Sequence, residues 1–136
     1  AYERDAEVRN LCSSLGYHSH LITSFITNMR KIEREMIQAI IDGRNWKKAN
    51  TEVEAHPSGN NEMRVFLHGN NIASYYDGNL YVNHCGWQTV TTKSRLNSLI
   101  NFVVDPTKNG IYQKNYKWFI TRDGVDYQML QGWHQV

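Results

Sequence analysis

The chain has 136 residues, the size of one domain, and is 40% apolar and 21% charged, a composition that excludes a disordered or membrane-embedded protein. Its formal charge of +2 is too small to mark nucleic-acid binding by itself and has the wrong sign for an acidic mimic of DNA. A chain of this length buries roughly two-thirds of its unfolded surface, so it needs no metal or disulfide to fold.

Val8, Leu11, Cys12 and Leu15 recur at i, i+3, i+4, i+7 and predict a first helix over about Tyr2 to Leu15, stopped by Gly16. A second, longer helix is expected from about Leu21 to Asp42. Its apolar stripe is Ile22, Phe25, Ile26, Met29, Ile32, Met36, Ile37 and Ile40, with Arg30, Lys31, Glu33, Arg34 and Glu35 on the other side. Such a stripe reads as a packing face. Lys31 and Glu35 are expected to pair at i,i+4. Gly43 ends the helix, and Arg44 to Lys48 forms a basic junction containing Trp46.

From Thr51 the period shortens toward two. Strands are expected at Thr51–Ala55, at Met63–Leu67, from Ile72 to Tyr76, and from Leu80 to Asn83. Turn-rich residues from His56 to Asn61, Gly69-Asn70 and Asp77-Gly78 separate them; Asp-Gly favours a type I′ hairpin because both central residues need positive φ. After Gly86-Trp87 the period lengthens again. Leu96, Leu99, Ile100 and Val103 predict a helix at about 93–104, starting near Thr92 or Lys93 with Thr91 or Thr92 as N-cap, and ending before Asp105-Pro106. Thr107 to Gly110 reads as a loop. Tyr116–Thr121 and Val125–Leu130 then flank Arg122-Asp123-Gly124 as a C-terminal hairpin. The expected fold is one α+β domain over 1–136: two N-terminal helices, a mainly antiparallel sheet built of hairpins, a further helix and a C-terminal hairpin.

The strand-to-helix block carries the most suggestive chemistry. Helix N-termini favour anions, yet the first turn here holds Lys93 and Arg95, with Thr92 and Ser94 as hydroxyl donors. A bound phosphate would relieve that conflict. The plainer reading is that threonine caps the helix while the two cations point into solvent or meet carboxylates elsewhere. A second candidate surface is aromatic. Phe66, Tyr75 and Tyr81 on one sheet face, with Arg64 and His68 at its rim, have the composition of a base-stacking or protein-binding patch. Trp87 reads first as a buried anchor and second as a stacking platform.

Six histidines and two cysteines supply no metal signature: there is no C-x-x-C, H-x-x-x-H or H-E-x-x-H. No metal or cofactor is expected. His20, His68 and His84 have the chemistry for acid–base catalysis, but no spacing brings two of them together. Cys12 and Cys85 read as reduced thiols rather than one bridge, which points to a reducing cytosol. Glu3, Arg4, Asp5 and Glu7 leave no secretory signal visible, and no apolar run approaches the ~20 residues of a membrane span. The basic runs Arg30-Lys31-x-x-Arg34 and Arg44-x-x-Lys47-Lys48 read as a solvated helix face or as a positive edge.

Val65-Phe66-Leu67-His68-Gly69-Asn70-Asn71-Ile72-Ala73 and the block from Gly86 to Asn97 resemble small accessory proteins of tailed bacteriophages. The likeness spans the middle half of the chain, without the N-terminal helical pair, and carries no functional residue with it. It implies a phage accessory protein in the bacterial cytoplasm. The leading expectation is therefore a non-enzymatic binding protein that inhibits or redirects a host protein, such as a defence protein. The alternatives are a nucleic-acid binder using Arg64, Thr92, Lys93, Ser94 and Arg95, and a metal-free nuclease with His68 or His84 as acid–base.

Overall fold

A computed structural model of the chain describes residues 29–56 and 61–136. The helix expected at Tyr2 to Leu15, the first part of the second helix, Cys12 and His20 lie outside the described residues. In chain order the elements are α1 (Lys31–Asp42), β1 (Trp46–Lys48), β2 (Thr51–Ala55), β3 (Met63–Leu67), β4 (Asn70–Tyr76), β5 (Asn79–Val82), α2 (Val90–Val103), β6 (Gly110–Lys114), β7 (Lys117–Arg122), β8 (Val125–Gln128) and β9 (His134–Gln135). The fold is α+β, and every strand pair is antiparallel.

One sheet has six strands in the order β1-β2-β3-β4-β5-β9, and the other has three in the order β6-β7-β8. Most neighbouring strands are consecutive and joined by two-residue turns; β2 and β3 are separated by residues 56–62. His68-Gly69, Asp77-Gly78 and Asp123-Gly124 all take positive φ at both positions, the type I′ geometry whose twist suits a hairpin. The first of these turns sits one residue earlier than the expected Gly69-Asn70. Both helices contact the six-stranded sheet, and α2 also contacts β6. Met36, Ile37, Val53, Val65, Leu80, Val82, Leu96, Leu99, Ile100, Phe102, Trp118 and Ile120 form one continuous buried core across these layers.

Several expectations need correction. No helix runs unbroken from Leu21: Arg30 is extended (φ −63°, ψ 147°), and α1 begins at Lys31. Its end is as expected, since Gly43 takes φ 66° and its amide and that of Arg44 bond back to Ile40 and Ala39. The basic junction around Trp46 is a short strand, because Trp46 faces inward with its partner Val53. Glu35 binds Lys48 of that strand at 3.0 Å, a long-range contact that local helix spacing does not announce. Helix α2 begins at Val90 with Thr89 as cap, its side chain accepting from the Thr92 amide at 3.1 Å. Strand β6 starts at Gly110, the last residue read as loop, and runs through residues to which no element was assigned; β9 was not foreseen either. The turn joining β6 to β7 is Asn115-Tyr116, with φ 52° and 63°; lacking a glycine, it gives no type I′ signal.

Candidate functional site

Register places residues on the two faces of the six-stranded sheet. Trp46, Val53, Val65, Ala73 and Val82 form one inward row; Ala55, Met63, Tyr75 and Leu80 form another. Between them, outward rows carry Lys47, Glu52, Phe66 and Asn71, and Glu54, Arg64, Ser74, Tyr81 and Gln135. The register shifts between Val65 and Phe66, so β4 holds one extra residue. Ile72 and Ala73 are consequently both buried, as a β-bulge allows.

The sequence-predicted aromatic face is therefore only partly assembled. Phe66 and Tyr81 point outward with Arg64, as expected. Tyr75 does not: it pairs with Met63 and Leu80 and packs against the core, where burial pushes its phenol pKa up. His68 sits in the exposed turn rather than at the rim of that face.

The outer face instead gains Tyr76 and Trp133, which are 44% and 49% exposed. With Glu62, Arg64, Asn71, Ser74 and Tyr81 they line an open groove of about 580 Å³. Ser74 donates to Glu62 at 2.7 Å, and Arg64 reaches the same carboxylate oxygen at 3.4 Å. The Ser74 hydrogen bond, followed by the charges of Arg64 and His56, holds the Glu62 carboxyl below its usual pKa. This leaves a polar floor of fixed geometry under a rim of aromatic rings. Tyr76 reaches this face only because the bulge shifts the alternation: counted from Ile72 it falls on the opposite face from Tyr75, the inner one, and the extra residue exchanges the two. Trp133 was not legible, since nothing local announces the two-residue strand beside it.

The cationic block resolves differently. Arg95 is 4% exposed and Glu33 3%. They form a 2.8 Å ion pair, Ser94 donates to the same Glu33 oxygen at 2.6 Å, and Arg95 Nε donates to Thr51 at 3.1 Å. The anion that α2 and its cation call for is thus supplied from α1, and Glu33 leaves the solvent side where periodicity places it. Thr92 is buried against Thr89, at 2.9 Å between hydroxyls. Of the helix residues expected to hold an anion, Thr92, Ser94 and Arg95 are engaged in these contacts, and Lys93 keeps partial exposure.

Trp87 is 57% exposed, contrary to its reading as a buried anchor. It lines a smaller cleft of about 220 Å³ with Leu67, His68, Ile72, Thr89, Thr91 and Thr92. The proposed site residues do not converge: Tyr81 lies on the outer face, Tyr75 in the core, Arg95 between helix and sheet, and Trp87 beside the start of α2.

His84 is 3% exposed, and its ring meets Trp118 edge-on at 5.6 Å between centroids. Its Nδ1 accepts from the Gly86 amide at 2.9 Å, and burial lowers its pKa. That setting suits a neutral core imidazole better than an acid–base catalyst. Cys85 donates to the Asn71 carbonyl at 3.2 Å, and burial raises its thiol pKa. Among the described residues no group of three or more His, Cys, Asp or Glu is placed to hold a metal ion, and no helix is long and apolar enough to cross a membrane.

A family model described as Kyanoviridae Gp96 protein, a phage protein family, matches residues 29–134. The match reaches from the start of α1 to β9, beyond the middle half that suggested a phage origin. No curated protein and no solved structure matches the chain.

Proposed function

The chain belongs to the Kyanoviridae Gp96 phage protein family, and on that footing we propose that it is a non-enzymatic binding protein that engages a protein of the bacterial host through the outer face of its six-stranded sheet. The observation that carries this reading is the open groove in which Tyr76, Tyr81 and Trp133 surround Arg64. Tyr, Trp and Arg are the residues that dominate binding energy at protein interfaces. Rings held on a rigid sheet lose little conformational entropy on contact. Inhibition or redirection of a host defence protein in the bacterial cytoplasm fits the phage context.

The nucleic-acid reading draws less support. Arg95 is occupied by Glu33, and the outer face sets Glu52, Glu54 and Glu62 against Lys47 and Arg64. Carboxylates beside the rings repel phosphates. The nuclease reading has still less, with His84 buried against Trp118.

The test is affinity capture from host lysate with the wild-type chain and with Tyr81→Ala plus Trp133→Ala, followed by identification and titration of the captured protein. The expected result is one host protein that the double variant binds at least tenfold more weakly, about 1.4 kcal/mol or more. Undiminished capture by the double variant, or no specific host protein with the wild type, would end this reading.

A further inference from the structure

Every sheet in an open fold leaves edges whose backbone groups can recruit another strand, and stable proteins guard them. Two sheets here present four edges among the described residues. Edge β1 is three residues long and carries Lys47 and Lys48, the charged protection expected of an edge. Edge β9 has only two residues. Edge β6 is partly closed by a side chain: Asn97 of α2 accepts from the Ile111 amide at 2.7 Å and donates to the Ile111 carbonyl at 2.9 Å, which leaves Gln113 as its one other outward residue. Strand β8 is different. Val125, Asp126, Tyr127 and Gln128 are all exposed, with Val125 at 53% and Tyr127 at 45%. It carries no lysine, proline or bulge.

The hydrogen-bond phase of this edge follows from its neighbours. The Met129 amide donates to the Trp118 carbonyl at 2.8 Å. Antiparallel pairs alternate between bonded and non-bonded, and the register pairs Tyr127 with Ile120 and Val125 with Arg122. Val125 and Tyr127 therefore direct their backbone groups at β7. Those of Asp126 and Gln128 point outward. The opposite edge confirms the phase, because the same alternation turns Ile111 away from β7, where Asn97 meets it.

We propose that β8 pairs with β8 of a second copy of this chain, antiparallel about a two-fold axis, to join two three-stranded sheets into one. Residues facing each other across such a pair must share a sheet face, so odd positions meet odd and even meet even. Two central registers satisfy this. One sets Asp126 against Asp126 of the other copy, which like charge disfavours. The other sets Tyr127 against Tyr127 at the axis and Asp126 against Gln128 on either side. This second register is selected. It satisfies the outward groups of Asp126 and Gln128 with roughly four backbone bonds, and it lets the Gln128 amide donate to the Asp126 carboxylate. The strand is short, so the interface falls below the ~1,200–2,000 Å² of a standard complex and the dimer is weak.

Sedimentation of the full chain from about 5 µM to about 500 µM tests this, because a weak dimer shifts by mass action. The weight-average mass is expected to rise reversibly from 15.9 kDa toward twice that value. Gln128→Pro removes one outward N–H and none directed at β7, so the fold tolerates it; it is expected to weaken association by about tenfold or more. Amide exchange on the unaltered chain supplies a reading that needs no variant. Asp126 and Gln128 amides are expected to slow as concentration rises, while those of Val125 and Tyr127 stay protected throughout. A chain monomeric over the whole range overturns the proposal. So does a dimer that Gln128→Pro leaves intact in a folded variant, or one that protects neither outward amide.

Discussion

The inner face of the six-stranded sheet meets two helices, and its outer face meets solvent. Both faces carry arginines beside carboxylates, but on different terms. Inside, Arg95 and Glu33 are almost wholly buried, and Ser94 and Thr51 satisfy further groups. Outside, Arg64 and Glu62 keep 32% and 19% of their side chains exposed, at a looser 3.4 Å. Burial decides what each pair does. A buried pair fixes one arrangement of α1, α2 and β2, because a lone buried charge is costly. An exposed pair contributes little to stability and stays available to a partner.

The largest expected effect tests the inner pair. Arg95→Ala or Glu33→Ala should each cost about 3–5 kcal/mol, since the remaining charge is stranded. Arg95→Met with Glu33→Gln should recover most of that loss in urea unfolding. Equal losses from the single and double changes would contradict the view that stranding dominates.

His84 comes next. His84→Ala removes a buried ring and strands the Gly86 amide, at about 2–3 kcal/mol. The same residue sets a pH dependence. Its folded pKa is lowered by burial from the usual histidine value of 6.5, so below that value the unfolded chain binds the proton more readily. Stability is full above pH 6.5 and falls as pH drops toward the folded pKa. Unfolding free energies at neutral and mildly acidic pH should show this slope in the wild type and a smaller one in His84→Phe. On the outer face, Glu62 has the opposite chemistry with the same sign. Its pKa is lowered from 4.5, so its contribution is present above pH 4.5 and lost below it.

Thr89→Ala, which removes the α2 cap, should cost about 1 kcal/mol. The smallest stability effect belongs to the outer face. Trp133→Ala should shift unfolding by no more than about 0.5–1 kcal/mol, with binding as its main readout. A loss as large as that of Arg95→Ala would make the aromatic rim part of the core and erase the contrast between the faces.

How far this was legible depends on range. Helix α1's end at Gly43, strands β2 to β5 and the Asp-Gly turns follow from local period and turn chemistry, and the structure has them. So does the helix carrying Leu96, Leu99 and Ile100. What periodicity misses is set by distant partners. Glu33 looks solvent-facing until Arg95 is known to lie beside it, and Trp46 becomes a strand residue only opposite Val53. Tyr75 changes sides because β4 carries a bulge that no composition rule announces. The outer face was half legible: Arg64, Phe66 and Tyr81 alternate correctly, while Trp133 arrives from the far end of the chain.

Asn97 has a consequence for assembly. By holding both backbone groups of Ile111, one side chain takes up one of the two outward-facing residues of β6, the other being Gln113, and so narrows the second open side of the three-stranded sheet. A unit with two open sides can add neighbours without limit and grow into a filament. A unit with one can only pair and stop. Asn97→Leu would open the second side in full, and turbidity or fibre growth in that variant would measure how much of the protein's solubility rests on a single amide.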